Sequence, residues 1–354
     1  MKRKSIVFTG PGKAELVEEE LAEPNAGEVR VRLARSCISS GTARANVTGV
    51  PDAGVGIFAK GEGTSWPRRC GYSSSGVVEA LGEGVTGLAV GDRVALSWSV
   101  HASHVVLPAK QAYLLPGNVS DEAAAWTHIA TFPMAAIRKC RLEMGEGALV
   151  MGQGALGQLA VKLLLAAGAT PVVAADPVAE KRERALMLGA DAALDPAAAG
   201  FAERAKALCR GERQVMRAMV PTDGPRVVIE VTGVGAALDQ SLDAAAPYAR
   251  IALLGCTRSL DFSIDYYHKV HGRGVTIVGA HTLARCERES APGCWTERDD
   301  ALAFLRLLSL GRISLDGFTD EVHAPEECAA VFARLAAGGP FPNVQFEWGE
   351  AGEM

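Results

Sequence analysis

Three glycines in the run Gly152-Gln153-Gly154-Ala155-Leu156-Gly157 stand in a G-x-G-x-x-G spacing, and an acid, Asp176, follows Gly157 by 19 residues. Residue types in that order suit one piece of chemistry, the binding of a dinucleotide. The first glycine permits a tight turn, the second lets backbone approach a pyrophosphate, and the third lets a helix pack closely on a strand. The N–H groups and positive dipole at the start of that helix then face the phosphates. A carboxylate about 20 residues on suits the ribose 2′-hydroxyl of NAD and repels the 2′-phosphate of NADP. NAD is therefore the expected cofactor, with Lys181, Arg182 and Arg184 as the cations close enough to accept a phosphate instead. The spacing alone is a weak signal; its surroundings make it specific.

Those surroundings are the elements that must position the glycines. Ala148-Leu149-Val150-Met151 is an apolar run of strand length, and Leu159, Ala160, Leu163, Leu164 and Ala167 recur at helical spacing. Gly168 ends that helix, and Pro171-Val172-Val173-Ala174-Ala175 reads as the next parallel strand. The alternation continues with a helix over 181–188, a strand over 226–231, a helix over 236–246, and strands over 250–254 and 275–278. The pattern predicts a doubly wound parallel sheet. Residues 1–110 instead read as an all-β module, with period-2 alternation in Val29-Arg30-Val31-Arg32-Leu33-Ala34 and further strands at 76–82, 92–96 and 104–108. The glycine-rich stretch 46–68 is expected to form a loop over the cleft, and 121–139 a helix with Ser120 as N-cap. Two helices, 299–310 and 325–337, precede a strand over 343–348 that returns to the first domain.

At 354 residues the chain exceeds one typical core, so two domains are expected. A hydrophobic share of 48% with 22% charged residues is an ordinary globular balance, and a net charge of −5 gives no reason to invoke nucleic acid or an anionic membrane. No apolar h-region follows the basic Met1-Lys2-Arg3-Lys4, and no run is long enough to span a bilayer. The eight cysteines lack any C-x-x-C pair and read as free, mostly buried thiols, Cys286 and Cys294 among them, in a cytoplasmic protein.

A β-rich N-terminal part, a nucleotide-binding insert and a C-terminal return resemble the medium-chain dehydrogenase/reductase superfamily over nearly the whole chain. Leu88-Ala89-Val90-Gly91-Asp92-Arg93-Val94 looks like its GDRV strand, and Cys70-Gly71-Tyr72-Ser73-Ser74-Ser75-Gly76-Val77-Val78 sits where zinc alcohol and polyol dehydrogenases carry G-H-E-x-x-G-x-V. The resemblance implies an α/β chain with a GroES-like β-barrel catalytic domain over 1–140, completed by 290–354, and a Rossmann domain over 141–289. It also implies a small-molecule substrate and a homodimer or dimer of dimers. Aligned on the family, the first catalytic zinc ligand falls on Ser39, the ligand histidine on Tyr72, the following glutamate on Ser73, and the third ligand near His128. Serine and tyrosine hold their protons at neutral pH and are poor ligands, and the four-cysteine structural lobe is missing between Asp92 and Pro108. No metal is therefore expected. The alternative is a shifted zinc site of Cys37, Cys70 and His128, since residues i and i+2 of an extended chain share a face.

Ser36-Cys37-Ile38-Ser39-Ser40-Gly41-Thr42 together with Gly71-Tyr72-Ser73-Ser74 resembles a zinc-less branch of that superfamily. It includes bacteriochlorophyllide hydroxyethyl dehydrogenases and enzymes of sugar or polysaccharide biosynthesis; Ala43 departs from it where glutamate often follows Gly-Thr. Without a Lewis acid, hydrogen-bond donors must hold the oxygen that gathers charge. Tyr72 and Ser39, with Thr42 nearby, are the candidates for that task, and His128 for the proton. Core packing for Tyr72, local capping for His128 and turn chemistry around Gly41 for Ser39 and Thr42 are the plainer alternatives. From the same fold, Thr232, Gly233 and Gly255 end strands at the carboxyl edge of the sheet, and Ala280 and His281 end a later one beside the nicotinamide. The expected activity is NAD-dependent oxidation of a secondary alcohol on a sugar, cyclitol or polyol-like molecule. Enoyl or quinone reduction and non-catalytic NAD(H) binding are the alternatives.

Overall fold

A computed structural model describes residues 1–49, 65–210, 223–256 and 262–349. Along the chain run β1 (Lys2–Gly10), β2 (Lys13–Glu20), β3 (Glu28–Cys37), α1 (Ser40–Thr48), β4 (Arg68–Arg69), β5 (Ser73–Leu81), β6 (Arg93–Ser97), β7 (His104–Pro108) and β8 (Ala112–Leu114). Then come α2 (Asp121–Ala124), α3 (Thr127–Lys139), β9 (Ala148–Met151), α4 (Ala155–Ala166), β10 (Val172–Ala175), α5 (Ala179–Met187), β11 (Ala192–Leu194) and α6 (Phe201–Leu208). The remainder comprises β12 (Val227–Glu230), α7 (Gly235–Ala244), β13 (Arg250–Leu253), α8 (Tyr266–Lys269), β14 (Thr276–Gly279), α9 (Glu297–Ser309), β15 (Glu321–His323), α10 (Cys328–Ala336) and β16 (Val344–Glu347). Two compact units result: residues 1–129 with 301–354, and residues 130–300.

The first unit is built on antiparallel pairing, with β15 and β16 its one parallel pair among the described residues. One sheet has the order β2-β1-β4; the other runs β15-β16-β3-β5-β6-β8, with β7 also paired to β3. The alternation expected for β3 is present: Val29, Val31 and Leu33 are fully buried, while Arg30 pairs with Glu23 at 2.7 Å and Arg32 with Glu79 at 3.2 Å. β16 returns antiparallel to β3, Phe346 opposite Ser36. Of the expected glycine-rich loop, 46–48 belong to α1 and 50–64 lie outside the described residues.

The single helix expected over 121–139 is two. Ser120 caps α2 through Ala123 N, but the Ser73 hydroxyl takes the Ala125 carbonyl and Trp126 Nε1 donates to Thr319 Oγ1 at 3.1 Å. A carbonyl engaged by a side chain and an anchored indole turn the chain there, and α3 starts afresh at Thr127.

The second unit is a six-stranded parallel sheet in the order β11-β10-β9-β12-β13-β14. Every residue of β9, β10 and β12 is buried, as strands covered on both faces require. Leu149, Val173, Val228 and Ile251 pack with Phe201 and Leu242 in its core. β9 has β10 on one side and β12 on the other, so the strand order reverses beside it. That reversal is where open α/β sheets bind ligands, outside the carboxyl ends of the strands. The short β11 and α6 went unread in the sequence because Ala192-Ala193-Leu194 is too brief and too poor in β-branched residues to signal a strand.

Candidate active site

The glycine run joins β9 to α4, and each glycine meets a different constraint. Gly152 has φ +95°, and a Cβ there would lie 2.7 Å from Thr232 Cγ2. At Gly157 a Cβ would lie 1.9 Å from the Gly152 carbonyl oxygen, so helix and turn touch through bare backbone. A Cβ on Gly154 would meet nothing within 4 Å. This is the open approach that a pyrophosphate needs. Ala155 and Leu156 form the first turn of α4, whose leading N–H groups have no intrahelical acceptor. The first-turn geometry thus fits a nicotinamide dinucleotide, with open space where a Cβ on Gly154 would lie.

Asp176 follows β10, nearly buried. Its carboxylate accepts from Gln153 N at 2.8 Å and from Val178 N at 2.9 Å. Gln153 therefore gives its amide to Asp176, and its side chain turns inward to Val150 O at 3.1 Å. It shapes the turn rather than presenting a group to a phosphate. Lys181 is half-buried on α5. Arg182 is held by the Asp176 and Pro177 carbonyls, each at 2.8 Å, with Asp195 at 3.6 Å.

The floor of the cleft contains a residue that the sequence reading passed over. Glu230 ends β12 almost fully buried. Its carboxylate accepts from Thr232 N at 2.7 Å, from Gly233 N at 3.1 Å and from the Thr232 hydroxyl. Burial pushes its pKa up against those hydrogen bonds. The turn it ties is the one that packs on Gly152, and a Cβ at Gly255 would fall 2.2 Å from Gly233 N. Thr232, Gly233 and Gly255 thus do gather with the glycine run at the carboxyl edge. An acid ending an otherwise apolar buried strand was the available signal. Ala280 is buried after β14 and His281 half-buried, its Nδ1 accepting from Leu283 N at 3.2 Å. Burial, then the Lys139 ammonium, lowers the His281 pKa. Lys139 itself bonds the carbonyls of Gly279, at 2.9 Å, and Ala284.

In the first unit the structure brings Thr42, Tyr72 and His128 together. The Tyr72 hydroxyl lies 3.5 Å from Thr42 Oγ1, and its ring meets the His128 ring edge-on with centroids 5.5 Å apart. Trp98, unread in the sequence, packs against the same imidazole at 4.7 Å. Its φ of +61° is a left-handed conformation costly for a tryptophan, and 41% of its surface is exposed. Ser39 is the N-cap residue of α1 and Thr42 lies in its first turn, so Gly41 opens a helix rather than a free turn. No side-chain bond of Ser39 joins it to the cluster among those the structure defines.

Serines set this geometry. Ser73 and Ser75 donate to the carbonyls of Ala125 and Asp121, the latter at 2.7 Å. Ser74 bonds Ser99 at 2.7 Å. The strand that begins after Tyr72 is thereby fastened to the helical corner three residues before His128. Behind Tyr72, Gly71 has φ +111° and a Cβ there would lie 2.8 Å from His101 N. His101 is buried, 2.8 Å from Ser36 Oγ, and burial lowers its pKa to about 4.

Among the described residues no three His, Cys, Asp or Glu side chains converge to hold a metal ion. The alternative trio of Cys37, Cys70 and His128 is not assembled. Cys70 lies in the apolar core with Ile6 and Phe8, its thiol pushed up to about 12 by burial. Cys37 accepts from Gln345 Nε2 at 3.3 Å, and burial holds its thiol protonated.

Two family models match the chain in tandem: an alcohol dehydrogenase GroES-like domain over residues 25–126 and a zinc-binding dehydrogenase domain over 155–294. The chain is 27% identical to the starvation-sensing protein RspB of Escherichia coli over 71% of its own length and 76% of that protein. It is 26% identical to the L-threonine 3-dehydrogenase of Pyrococcus horikoshii, over 78% and 82%. The D-guloside 3-dehydrogenase of Shigella flexneri is likewise 26% identical, over 78% and 80%. Among solved structures, a short chain alcohol dehydrogenase from Escherichia coli CFT073 complexed with NADH superposes with a TM-score of 0.78 at 22% identity, covering 98% and 99% of the two chains. A protein from Sinorhizobium meliloti 1021 bound to NADP does so with 0.77 at 21%, again over 98% and 99%. With a GroES-like unit followed by a Rossmann sheet, and with these relatives, the chain belongs to the medium-chain dehydrogenase/reductase superfamily of alcohol and polyol dehydrogenases.

Proposed function

We propose that this protein is a zinc-independent, NAD-dependent dehydrogenase acting on a secondary alcohol of a sugar, cyclitol or polyol-like metabolite, in biosynthesis. The observation that carries the reading is the Thr42–Tyr72–His128 cluster. Aligned on the family's pattern, hydroxyls and an imidazole fall at the positions of its zinc ligands, and the two thiols closest in sequence are committed elsewhere. Bound NAD supplies the hydride acceptor. The chain's own residues hold the substrate oxygen and move its proton. Tyr72, with Thr42 and Ser39, donates hydrogen bonds to that oxygen, each donor worth about 3–4 kcal/mol where charge develops. His128 takes or relays the proton, a task suited to an imidazole. The exposed Trp98 ring offers the apolar face of a sugar or cyclitol a surface to lie against. NAD is preferred to NADP because the Asp176 carboxylate occupies the edge of β10 and Arg182 is already engaged by carbonyls.

Nicotinamide absorbance with NAD and with NADP, across cyclitols, sugars, polyols and simple secondary alcohols, tests this directly. An NAD-dependent rise with one class supports the reading; turnover confined to enoyl or quinone substrates overturns it. Stoichiometric zinc in protein purified without chelator would also sink the metal-free mechanism. No helix among the described residues is long and apolar enough to cross a membrane, in keeping with a cytoplasmic enzyme working on a small molecule. β14 forms the edge of the parallel sheet with Ile277 exposed, and we assign the homodimer contact to that edge. Ile277→Lys should leave a monomer by light scattering.

A further inference from the structure

Cys286 and Cys294 stand apart from the thiols buried in the cores. Both are partly exposed and free. The Cys294 sulfur accepts from Cys286 N at 3.1 Å, and the Cys294 side chain beside it raises the Cys286 pKa while Lys139 pulls it down. The segment holding them is already shaped. Ala291-Pro292-Gly293-Cys294 closes on reciprocal backbone bonds of 2.8 and 2.9 Å, with Gly293 at φ +80°, the Pro-Gly arrangement of a type II turn. Ser290 Oγ accepts from Thr296 N at 2.9 Å. Trp295 lies under the Arg138 guanidinium at 3.5 Å. Lys139 anchors the start of the segment through Ala284 O. The backbone around Cys294 is therefore fixed by this framework, which sets its sulfur against the Cys286 amide, and a covalent bond needs the two sulfurs at roughly 2 Å.

We infer that Cys286 and Cys294 form a modification site, a dithiol that closes reversibly to a disulfide by exchange with a small-molecule disulfide such as that of glutathione. One thiolate attacks the glutathione disulfide and expels a glutathione thiolate. The second cysteine then attacks the mixed disulfide and expels the other. The two protein thiol protons pass to the two glutathione thiolates. Two electrons leave the protein sulfurs, and one glutathione disulfide becomes two glutathione molecules. The bond ties down the segment that continues from Ala280 and His281.

The full-length protein is equilibrated in glutathione buffers, trapped with N-ethylmaleimide, digested and read by mass spectrometry. The expected product is a Cys286–Cys294 linkage lacking two hydrogens, restored to the dithiol by excess reduced glutathione. Stoichiometry gives a sharper signature. An internal disulfide releases two glutathiones per disulfide consumed, so diluting the buffer tenfold at a fixed disulfide-to-thiol ratio raises the oxidised-to-reduced ratio tenfold. A mixed disulfide does not respond to that dilution. Cys286→Ser and Cys294→Ser, conservative changes at partly exposed positions, should each lose the linkage and leave a dilution-insensitive glutathione adduct on the remaining cysteine. Glutathione adducts on both cysteines of the wild type without linkage, or both fully alkylated across buffers that modify the exposed Cys256, would overturn the inference.

Discussion

The dinucleotide cleft and the hydroxyl–imidazole cluster are built by opposite means. In the cleft, nearly every contact has backbone on at least one side. Gly157 touches the Gly152 carbonyl, Asp176 takes an amide of the turn, and Glu230 collects the N–H groups of Thr232 and Gly233. In the cluster, side chains from α1, the turn before β5, the end of β6 and α3 meet, and buried serines hold them in place. Backbone geometry tolerates almost no added atom; side-chain geometry tolerates change that preserves shape. Substitutions should therefore act on binding and folding in one region and on turnover in the other.

The largest effect expected separates two glycines of one motif. Gly157→Ala forces a Cβ to within 1.9 Å of a carbonyl oxygen, and a loss on the order of 4–5 kcal/mol, enough to abolish soluble protein, follows from overpacking against backbone. Gly154→Ala enters open space, so the thermal midpoint should hold while NADH affinity, read by fluorescence titration, falls at least tenfold or so where the pyrophosphate approaches. Equal effects on melting would break the contrast.

In the cluster, Tyr72→Phe and His128→Asn should each lower kcat on the order of 10²–10³-fold, the scale of a lost oxyanion donor. NADH affinity should change by no more than about twofold, because neither residue belongs to the cleft. Near wild-type turnover in both variants would remove them from the chemistry.

The two regions also differed in how openly the sequence displayed them. Gly152 to Asp176 is local: a strand, a turn, a helix and an acid lie within one stretch, and each has a pattern that tertiary packing cannot easily override. The partners of Tyr72 are not local. Thr42 lies 30 residues before it and His128 lies 56 after, so only resemblance to a family pointed at the trio, and Trp98, unmarked by any pattern, was missed. The corner between α2 and α3 was read as one helix because Ser73 acts on Ala125 from another element. Glu230 lay in plain view, but a single acid at a strand end is as common in loops.

Support for the cluster should be sensitive to acid, which the cleft's backbone contacts are not. His101 backs the turn carrying Gly71 and Tyr72, and burial lowers its pKa from 6.5 to about 4. The unfolded chain thus binds a proton as pH falls through 6.5, while the folded chain does so only near 4. Stability is full above 6.5, declines between the two values and levels below the lower one. At about 1.4 kcal/mol per unit the span is roughly 3 kcal/mol. Urea midpoints from pH 7 to 4 should show this limb in the wild type and a flatter one in His101→Asn. Parallel limbs would mean that another group titrates.

The smallest effect tests a side-chain tie beneath the glycine turn. Glu230→Ala leaves the Thr232 and Gly233 amides without their acceptor and should cost about 1–3 kcal/mol, with weaker NADH binding as the turn beneath Gly152 loosens. Glu230→Gln keeps an acceptor oxygen and removes a charge that burial disfavours. Because the folded pKa is raised, the native carboxyl binds its proton more tightly than the unfolded one, so ionisation lowers stability as pH rises through that range. At neutral pH the glutamine variant should therefore match or exceed the wild type in urea midpoint and retain its NADH affinity. If glutamine proved as damaging as alanine, the charge itself would be needed, and the cleft would depend on side-chain electrostatics as the cluster does.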